Sequence, residues 1–227
     1  MFRSSGLDVP ARANWLSLSF RKQPAVATAI CLLCLLGRGQ AWAGAPTDQL
    51  KASVDHVLAV LQDPNLKSDA KAAERRAAIR QQAESEFDFN ETAKRALGRH
   101  WQELSESQRK EFVSLFTDLI ERAYVTKIEK YSGEPIVYVG EALEGDTATV
   151  RTKFVTRQGT EIPIDYRLFR NGDRWLVYDV LVEGVSLVAN YRTQFDRILR
   201  TSGYEELVRR MKSAEFGTPE KSRTPRS

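Results

Sequence analysis

The sequence predicts an α+β domain: a curved, four-stranded antiparallel meander packed on one face by helices, with an apolar cavity between them. Three observations carry that expectation. Apolar residues recur at three- and four-residue spacing from about residue 47 to residue 128. Between residues 135 and 182 the spacing shortens to two, broken by polar clusters that each contain a glycine. At Gly184 helical spacing returns and continues to Leu199. Helices, then consecutive hairpins, then a helix describe segregated layers, not alternating βαβ units.

Each element can be justified in order. Residues 47–63 set Leu50, Val54, Val57, Leu58 and Leu61 along one side of a helix. Residues 67–85 are rich in Ala, Arg and Glu, which predicts a largely solvated helix. Phe87 and Phe89 flank Asp88, and Asn90 is expected to cap a short helix that ends at Gly98. Ser105-Glu-Ser-Gln108 fits a capping box, in which side chain and backbone satisfy each other's unpaired N–H groups. It opens a long helix with the stripe Phe112, Leu115, Phe116, Leu119, Ile120, Ala123, Tyr124 and Ile128.

Strands are expected at 135–142, 147–156, 161–169 and 174–182. Asn171-Gly172 predicts a type I′ hairpin, because both central residues of that turn need positive φ. In the third strand Ile162, Ile164, Tyr166 and Leu168 share one face, while Pro163, Asp165, Arg167 and Phe169 share the other. In the second, Val150 and Phe154 lie opposite Arg151 and Lys153. One face of the sheet is therefore apolar and the other largely polar. The fourth strand is apolar on both faces except for Asp179. Ser186 stands where a helix N-cap belongs, and Leu187, Val188, Tyr191, Phe195, Ile198 and Leu199 follow at helical spacing to a C-terminal glycine cap at Gly203.

The first 43 residues form a separate unit. Arg21 and Lys22 precede a twelve-residue, mainly apolar stretch at 25–36, and Ala41-Trp-Ala43 offers small residues at both positions a signal peptidase reads. The stretch is too short to span a bilayer, which takes about 20 residues. A cleaved secretory leader is expected, and with it a periplasmic location; an uncleaved N-terminal anchor is the alternative. Leu33 and Ile30, before Cys34 and Cys31, are too bulky for a lipoprotein site. The long stretch before Arg21 suggests a translation start downstream of Met1. The leader holds Arg3, Arg12, Arg21, Lys22 and Arg38 against Asp8, so the remaining chain has 29 basic and 29 acidic side chains. The basic balance belongs to the leader, and a nucleic-acid partner loses its support. Both cysteines leave too, which removes disulfides, thiolate metal sites and thiol nucleophiles. Residues 44–216 suffice for one domain, and 217–227, all small, charged, Thr or Pro, are expected to be a disordered tail.

Several motifs in this order carry a resemblance. Trp175, Tyr178-Asp-Val180 and Glu183-Gly-Val-Ser186, then a helix and Arg200-Thr-Ser-Gly203, resemble the MlaC or toluene-tolerance family. Upstream the resemblance continues through Phe87-Asp-Phe, Ala96-Leu-Gly-Arg-His-Trp101 and Ser107-Gln-Arg-Lys-Glu-Phe112, and it covers roughly residues 47 to 212. The resemblance implies a periplasmic carrier of phospholipid in Gram-negative bacteria, serving outer-membrane lipid asymmetry. The implied partners are an outer-membrane lipoprotein complex and an inner-membrane ABC transporter with an MCE-domain subunit. A monomer without cofactor or metal is expected.

Three functions are weighed on the residues. An enzyme would draw on Asp165, Tyr166, Tyr178, Asp179 and His100, but there is no phosphate loop, metal-spaced cluster or nucleophile elbow, and His56 and His100 are far apart. His100 reads as a packed or surface histidine, and Asp179 as a buried carboxylate paired with Arg167 or Arg192. A lipid carrier needs an apolar cavity with few polar groups. Its expected wall is Phe116, Ile120, Tyr124, Val150, Phe154, Ile164, Tyr166, Leu168, Leu176, Tyr178, Val180, Val188 and Tyr191, with Trp175 on the opposite side of its strand. The same stripes also fit an ordinary solid core, and the carrier reading leans on the resemblance. A ligand-free periplasmic adaptor would instead dock partners through the charged helix 67–85 and Arg192, Arg197, Arg200, Arg209 and Arg210. A carrier of another lipid, such as a hopanoid, would look the same from sequence.

Overall fold

The computed structural model describes residues 45–213 and 215–216; the leader with its cleavage site and the tail 217–227 lie outside the described residues. Helix α1 runs Ala45–Gln62, α2 Ala72–Glu86, α3 Phe89–Leu97 and α4 Glu106–Glu129. The strands β1 Ile136–Glu144, β2 Thr147–Val155, β3 Glu161–Asn171 and β4 Arg174–Val182 follow, then a two-residue strand β5, Val185–Ser186, and helix α5, Leu187–Lys212. The sheet is antiparallel throughout, in the order β1-β2-β3-β4-β5. The predicted α+β meander is present, with one short strand more than expected.

Local chemistry explains most boundaries. The capping box at the start of α4 forms as predicted: Ser105 Oγ accepts from the Gln108 N–H, and the Gln108 side chain accepts from the Ser105 N–H. The cap of α3 is Asp88, not Asn90: its carboxylate accepts from the Glu91 N–H at 2.8 Å. At the β3–β4 hairpin the register pairs Asn171 with Arg174, so the two-residue loop is Gly172-Asp173. Only Gly172 has positive φ there, which is the pattern of a type II′ turn and corrects the expected type I′ turn at Asn171-Gly172. The type I′ pattern occurs instead at Glu183 (φ 51) and Gly184 (φ 79), where the chain turns back to make β5.

At Gly203 the backbone leaves helical geometry, at φ 83 and ψ −177, as the expected glycine cap requires. A second helical segment, unforeseen in the sequence, follows within the α5 run and buries Leu207, Val208 and Met211. Helix α2 is tied to α4 by ion pairs: Arg75 and Arg76 hold Glu129, while Arg80 reaches Asp118 and Glu121.

The two edges of the sheet differ. Beside β4, the Gln49 side chain donates to the Trp175 carbonyl and accepts from its N–H, at 2.6 and 2.9 Å. Further along, the Asp88 N–H donates to Val177 O at 3.0 Å, and β5 then pairs with Leu181 and Val182. Side chain, loop and short strand thus cover successive backbone groups that would otherwise be open to a foreign strand. On β1 the other edge carries exposed Val137 and Val139, and Val139 is the extra residue of a bulge.

Candidate functional site

Among the described residues, all but two of the buried apolar ones, Ile79 and Val125, fall into two clusters. One is made by helices: Ala93, Ala96, Leu97, Trp101, Leu104, Phe112, Phe116, Leu119, Val188, Tyr191, Phe195, Ile198, Leu207, Val208 and Met211. The other is made by the sheet and α1: Leu50, Ala148, Val150, Leu168, Trp175 and Val177, with Val54, Phe87, Tyr138, Tyr166 and Val180 packed against it. A small domain usually has one contiguous core. Here the helical cluster forms one apolar wall and the sheet cluster another.

The helical wall is aromatic at its centre. Phe116 meets Tyr191 and Phe195 edge-on, each at 5.3 Å between ring centres, and Phe112 meets Phe195 at 5.5 Å. Such pairs each contribute about 0.5–1.5 kcal/mol beyond area burial. Tyr124 lies near Tyr191; burial first, and Tyr191 second, push its phenol upward from the ordinary tyrosine value. The sheet wall follows pairwise register: Tyr138 opposite Thr152, Val150 opposite Tyr166, and Tyr166 opposite Val180. Burial pushes the Tyr166 phenol up to about 12. Thr152, fully buried, returns its hydroxyl to Ile164 O at 2.8 Å.

The two walls are joined at Asp179. This carboxylate, 3% exposed, accepts from Ser186 Oγ at 2.6 Å, from the Val188 N–H at 3.0 Å and from Arg167 at 3.3 Å. Ser186 Oγ in turn accepts from the Ala189 N–H. Two free amides at the start of α5 are thereby satisfied, one by each side chain, at a helix end that favours negative charge. Arg167 is the partner; Arg192 donates to Arg95 O instead. Asp179 is thus a joint between β4 and α5.

Eight of the thirteen expected residues belong to the two buried clusters. Phe116, Val188 and Tyr191 are buried in the helical cluster with Ile120 packed against it, and Val150, Leu168, Tyr166 and Val180 belong to the sheet cluster. Phe154 meets Tyr131 at 6.5 Å between rings, and Ile164 is half-buried opposite Val182. Leu176 and Tyr178 are corrections. A bulge makes Tyr178 the extra residue between Arg167 and Leu168, so alternation along β4 changes phase there. Trp175 and Val177 before it, and Val180 after it, all reach the sheet cluster. Leu176 pairs with Phe169 on the other face, and the Tyr178 ring lies between Phe169 and the Arg95 guanidinium, 3.9 Å from its centre. Trp175, expected outside, is therefore inside. Tyr138, Thr152 and Val125 are wall or core residues that period counting missed, and Ile128, counted in, is exposed.

Outside the two clusters, His100 is 8% exposed and sits 3.0 Å from both Glu103 and Asp196. Burial opposes its charge, but the hydrogen bonds to Asp196 and Glu103 outweigh burial and hold its pKa above the ordinary histidine value. It pins the 3₁₀ segment Gly98–Glu103 to α5. A cleft of about 500 Å³ lies over α2, α3 and α4, lined by Arg80, Phe89, Trp101, Arg109 and Lys110 among others. It touches none of the expected wall residues. Among the described residues no group of His, Cys, Asp and Glu could hold a metal ion, and no helix is long and apolar enough to cross a membrane.

An antiparallel sheet packed with helices, its buried apolar residues gathered in a helical and a sheet cluster, defines an α+β domain. The family model described as MlaC protein matches residues 51–213, and the chain belongs to the MlaC family. The intermembrane phospholipid transport system binding protein MlaC of Haemophilus influenzae is 27% identical over 125 residues, which take in 53% of this chain and 58% of that protein. The match thus spans little more than half the length of that relative. Among solved structures, the phospholipid-binding protein from Ralstonia solanacearum in complex with a phospholipid superposes with a TM-score of 0.66 at 25% identity, covering 75% of this chain and 96% of that one.

Proposed function

We propose that this chain is a periplasmic phospholipid carrier, exported by its leader, that opens along the seam to admit acyl chains. The observation that carries this reading is the division of one small domain into two apolar clusters, one of helices and one of the sheet with α1, and the seam is the boundary between them. Each methylene moved from water into such an interior gains about 0.8 kcal/mol, so two acyl chains supply more than about 10 kcal/mol in gross terms. The names of the Haemophilus and Ralstonia proteins, one for phospholipid transport and one for phospholipid binding, support the same reading.

Transfer on this account is a sequence of partitions with no reaction. Lipid passes between an outer-membrane lipoprotein complex and an inner-membrane ABC transporter with an MCE-domain subunit, the transporter's ATP hydrolysis driving one end. The adaptor alternative needs free charged faces, and these are largely engaged within the fold: Arg209 and Arg210 pair with Glu206, and Arg75, Arg76 and Arg80 with residues of α4. The test is transfer of labelled phospholipid from donor to acceptor vesicles by the purified protein. Acceleration over protein-free vesicles is expected. No acceleration, with no labelled lipid on the protein, would leave the adaptor as the better account.

A further inference from the structure

Cations and carboxylates are matched unevenly over the surface. On α2, Arg75 and Arg76 hold Glu129, and Arg80 alone meets Glu84, Asp118 and Glu121. Around the end of α3 and the first half of α5 the ratio is reversed. Lys94 and Arg95 share Glu91, and Arg99 and Arg200 share Asp196. Arg192 donates to the Arg95 carbonyl at 2.8 Å and meets no carboxylate among the described residues. Arg197, exposed, makes no hydrogen bond or ion pair among them.

These side chains form one surface. Arg192, Asp196 and Arg200 stand four residues apart and so share a face of α5, and Arg197 adjoins it. Arg192 bridges from that face to the end of α3, and Arg99 reaches back to Asp196 at 2.8 Å. Six cations thus stand against Glu91, Asp196 and Glu103, the last of which is held by His100. The excess is local. Residues 44–227 carry equal numbers of acidic and basic side chains, so the patch is one pole of a charge-separated chain.

What the patch lacks decides what it fits. Protein interfaces centre on aromatic or aliphatic anchors. The exposed large apolar side chains are Ile128, Val137, Val139, Leu143, Val182 and Val185, and none belongs to α3 or α5. The exposed neighbours of the arginines are Thr193, Thr201 and Ser202. From Arg192 to Arg200 the cations extend over about 12 Å of helix with Asp196 in their midst. A single small anion there would be opposed by that carboxylate, whereas many phosphates set side by side would meet the outer guanidinium groups.

We infer that this face of α3 and α5 is an electrostatic docking surface for an anionic bilayer, whose lipid phosphates lie side by side in one plane. Nothing on the face inserts, so the protein is held by charge alone and salt releases it. The inference goes beyond the carrier reading and does not depend on it.

The experiment sediments the purified protein with vesicles of phosphatidylcholine alone, or of phosphatidylcholine and phosphatidylglycerol in equal parts. Wild type is expected to sediment with the mixed vesicles at low salt, to stay in solution with phosphatidylcholine alone, and to be released by about 0.5 M salt. Each arginine near an anionic surface contributes about fivefold in partition. Arg197→Gln therefore lowers binding by about fivefold, and the double variant Arg192→Gln, Arg197→Gln by about twenty-fivefold, with circular dichroism confirming the fold. Should the double variant unfold, Arg197→Gln alone decides. The control Lys51→Gln, Lys67→Gln loses the same charge from exposed residues on α1 and just after it, and binds as wild type does. Wild type that stays in solution with the mixed vesicles overturns the proposal and leaves the patch to an acidic protein surface. So does equal sedimentation with both kinds of vesicle, which means apolar insertion, or a lysine control that loses as much as the arginine variants, which means net charge without a patch.

Discussion

Asp179 and Ser186 make one joint: the Ser186 hydroxyl donates to the Asp179 carboxylate at 2.6 Å while the two side chains accept from successive amides of α5, at Val188 and Ala189. The joint ties the last long strand of the sheet wall to the helix that carries Tyr191. A buried carboxylate whose partners are a hydroxyl, an amide and a half-exposed arginine is sensitive to loss of its charge. Asp179→Ala is expected to cost about 3 kcal/mol, the lower end of the range for breaking a buried pair. Urea unfolding checks it, and a midpoint equal to wild type would refute the joint.

Ser186→Ala removes a cap acceptor and a donor to Asp179. The expected loss is about 1 kcal/mol for the cap alone. Because Ser186 and Asp179 share a bond, the double variant Ser186→Ala, Asp179→Ala should lose less than the sum of the singles. Additive losses would mean that the two side chains act independently.

At Gly184 a φ of 79 is awkward for any side chain, and the β4–β5 turn also places Glu183 at φ 51. Gly184→Val is therefore expected to destabilise by about 1–2 kcal/mol through backbone strain, although nothing lies within 4 Å of an added Cβ. Unchanged thermal unfolding would show that the turn relaxes freely.

The His100 cluster gives a pH dependence. Its folded pKa lies above the unfolded value of 6.5, so the charged form is favoured by the fold. Its contribution is fully present below about pH 6.5 and is lost as pH rises through the folded pKa. The stability gap between wild type and His100→Gln should be larger at pH 5.5 than at pH 8.5, where chemical denaturation can be measured at both. A gap that grows with pH would contradict the pairing with Asp196 and Glu103.

How much of this was legible in sequence depends on which physics decides each feature. Side-chain periodicity located the helices and strands, because Leu50, Phe112, Phe116, Val150 and Phe195 have no other way to leave water. The capping box of α4 and the Ser186 cap were readable because the residue types are specific to the job. Faces were read correctly in β2 and β3 and wrongly in β4. A bulge such as that at Tyr178 has no local composition, and beyond it every side chain changes sides. The same limit hid the β5 hairpin, where Glu183 adopts a conformation its type disfavours, and the second helical segment that follows the glycine cap at Gly203. That Tyr138 and Tyr191 keep unpaired hydroxyls is a tertiary fact that no spacing announces.

The central claim is that the seam holds lipid, and Val180 on the sheet wall bears on it directly. Val180→Glu places a carboxylate at the seam, where it is either desolvated or brings water with it, and both oppose acyl chains. The variant is expected to fold by circular dichroism and to carry little lipid. The most direct measurement is mass spectrometry of lipid extracted from wild-type protein purified from the periplasm without detergent. Stoichiometric diacyl phospholipid on the wild type, largely absent from a folded Val180→Glu, is the predicted result. Lipid-free wild-type protein, together with a Val180→Glu that fails to fold, would contradict the account and show that the two walls are simply a core.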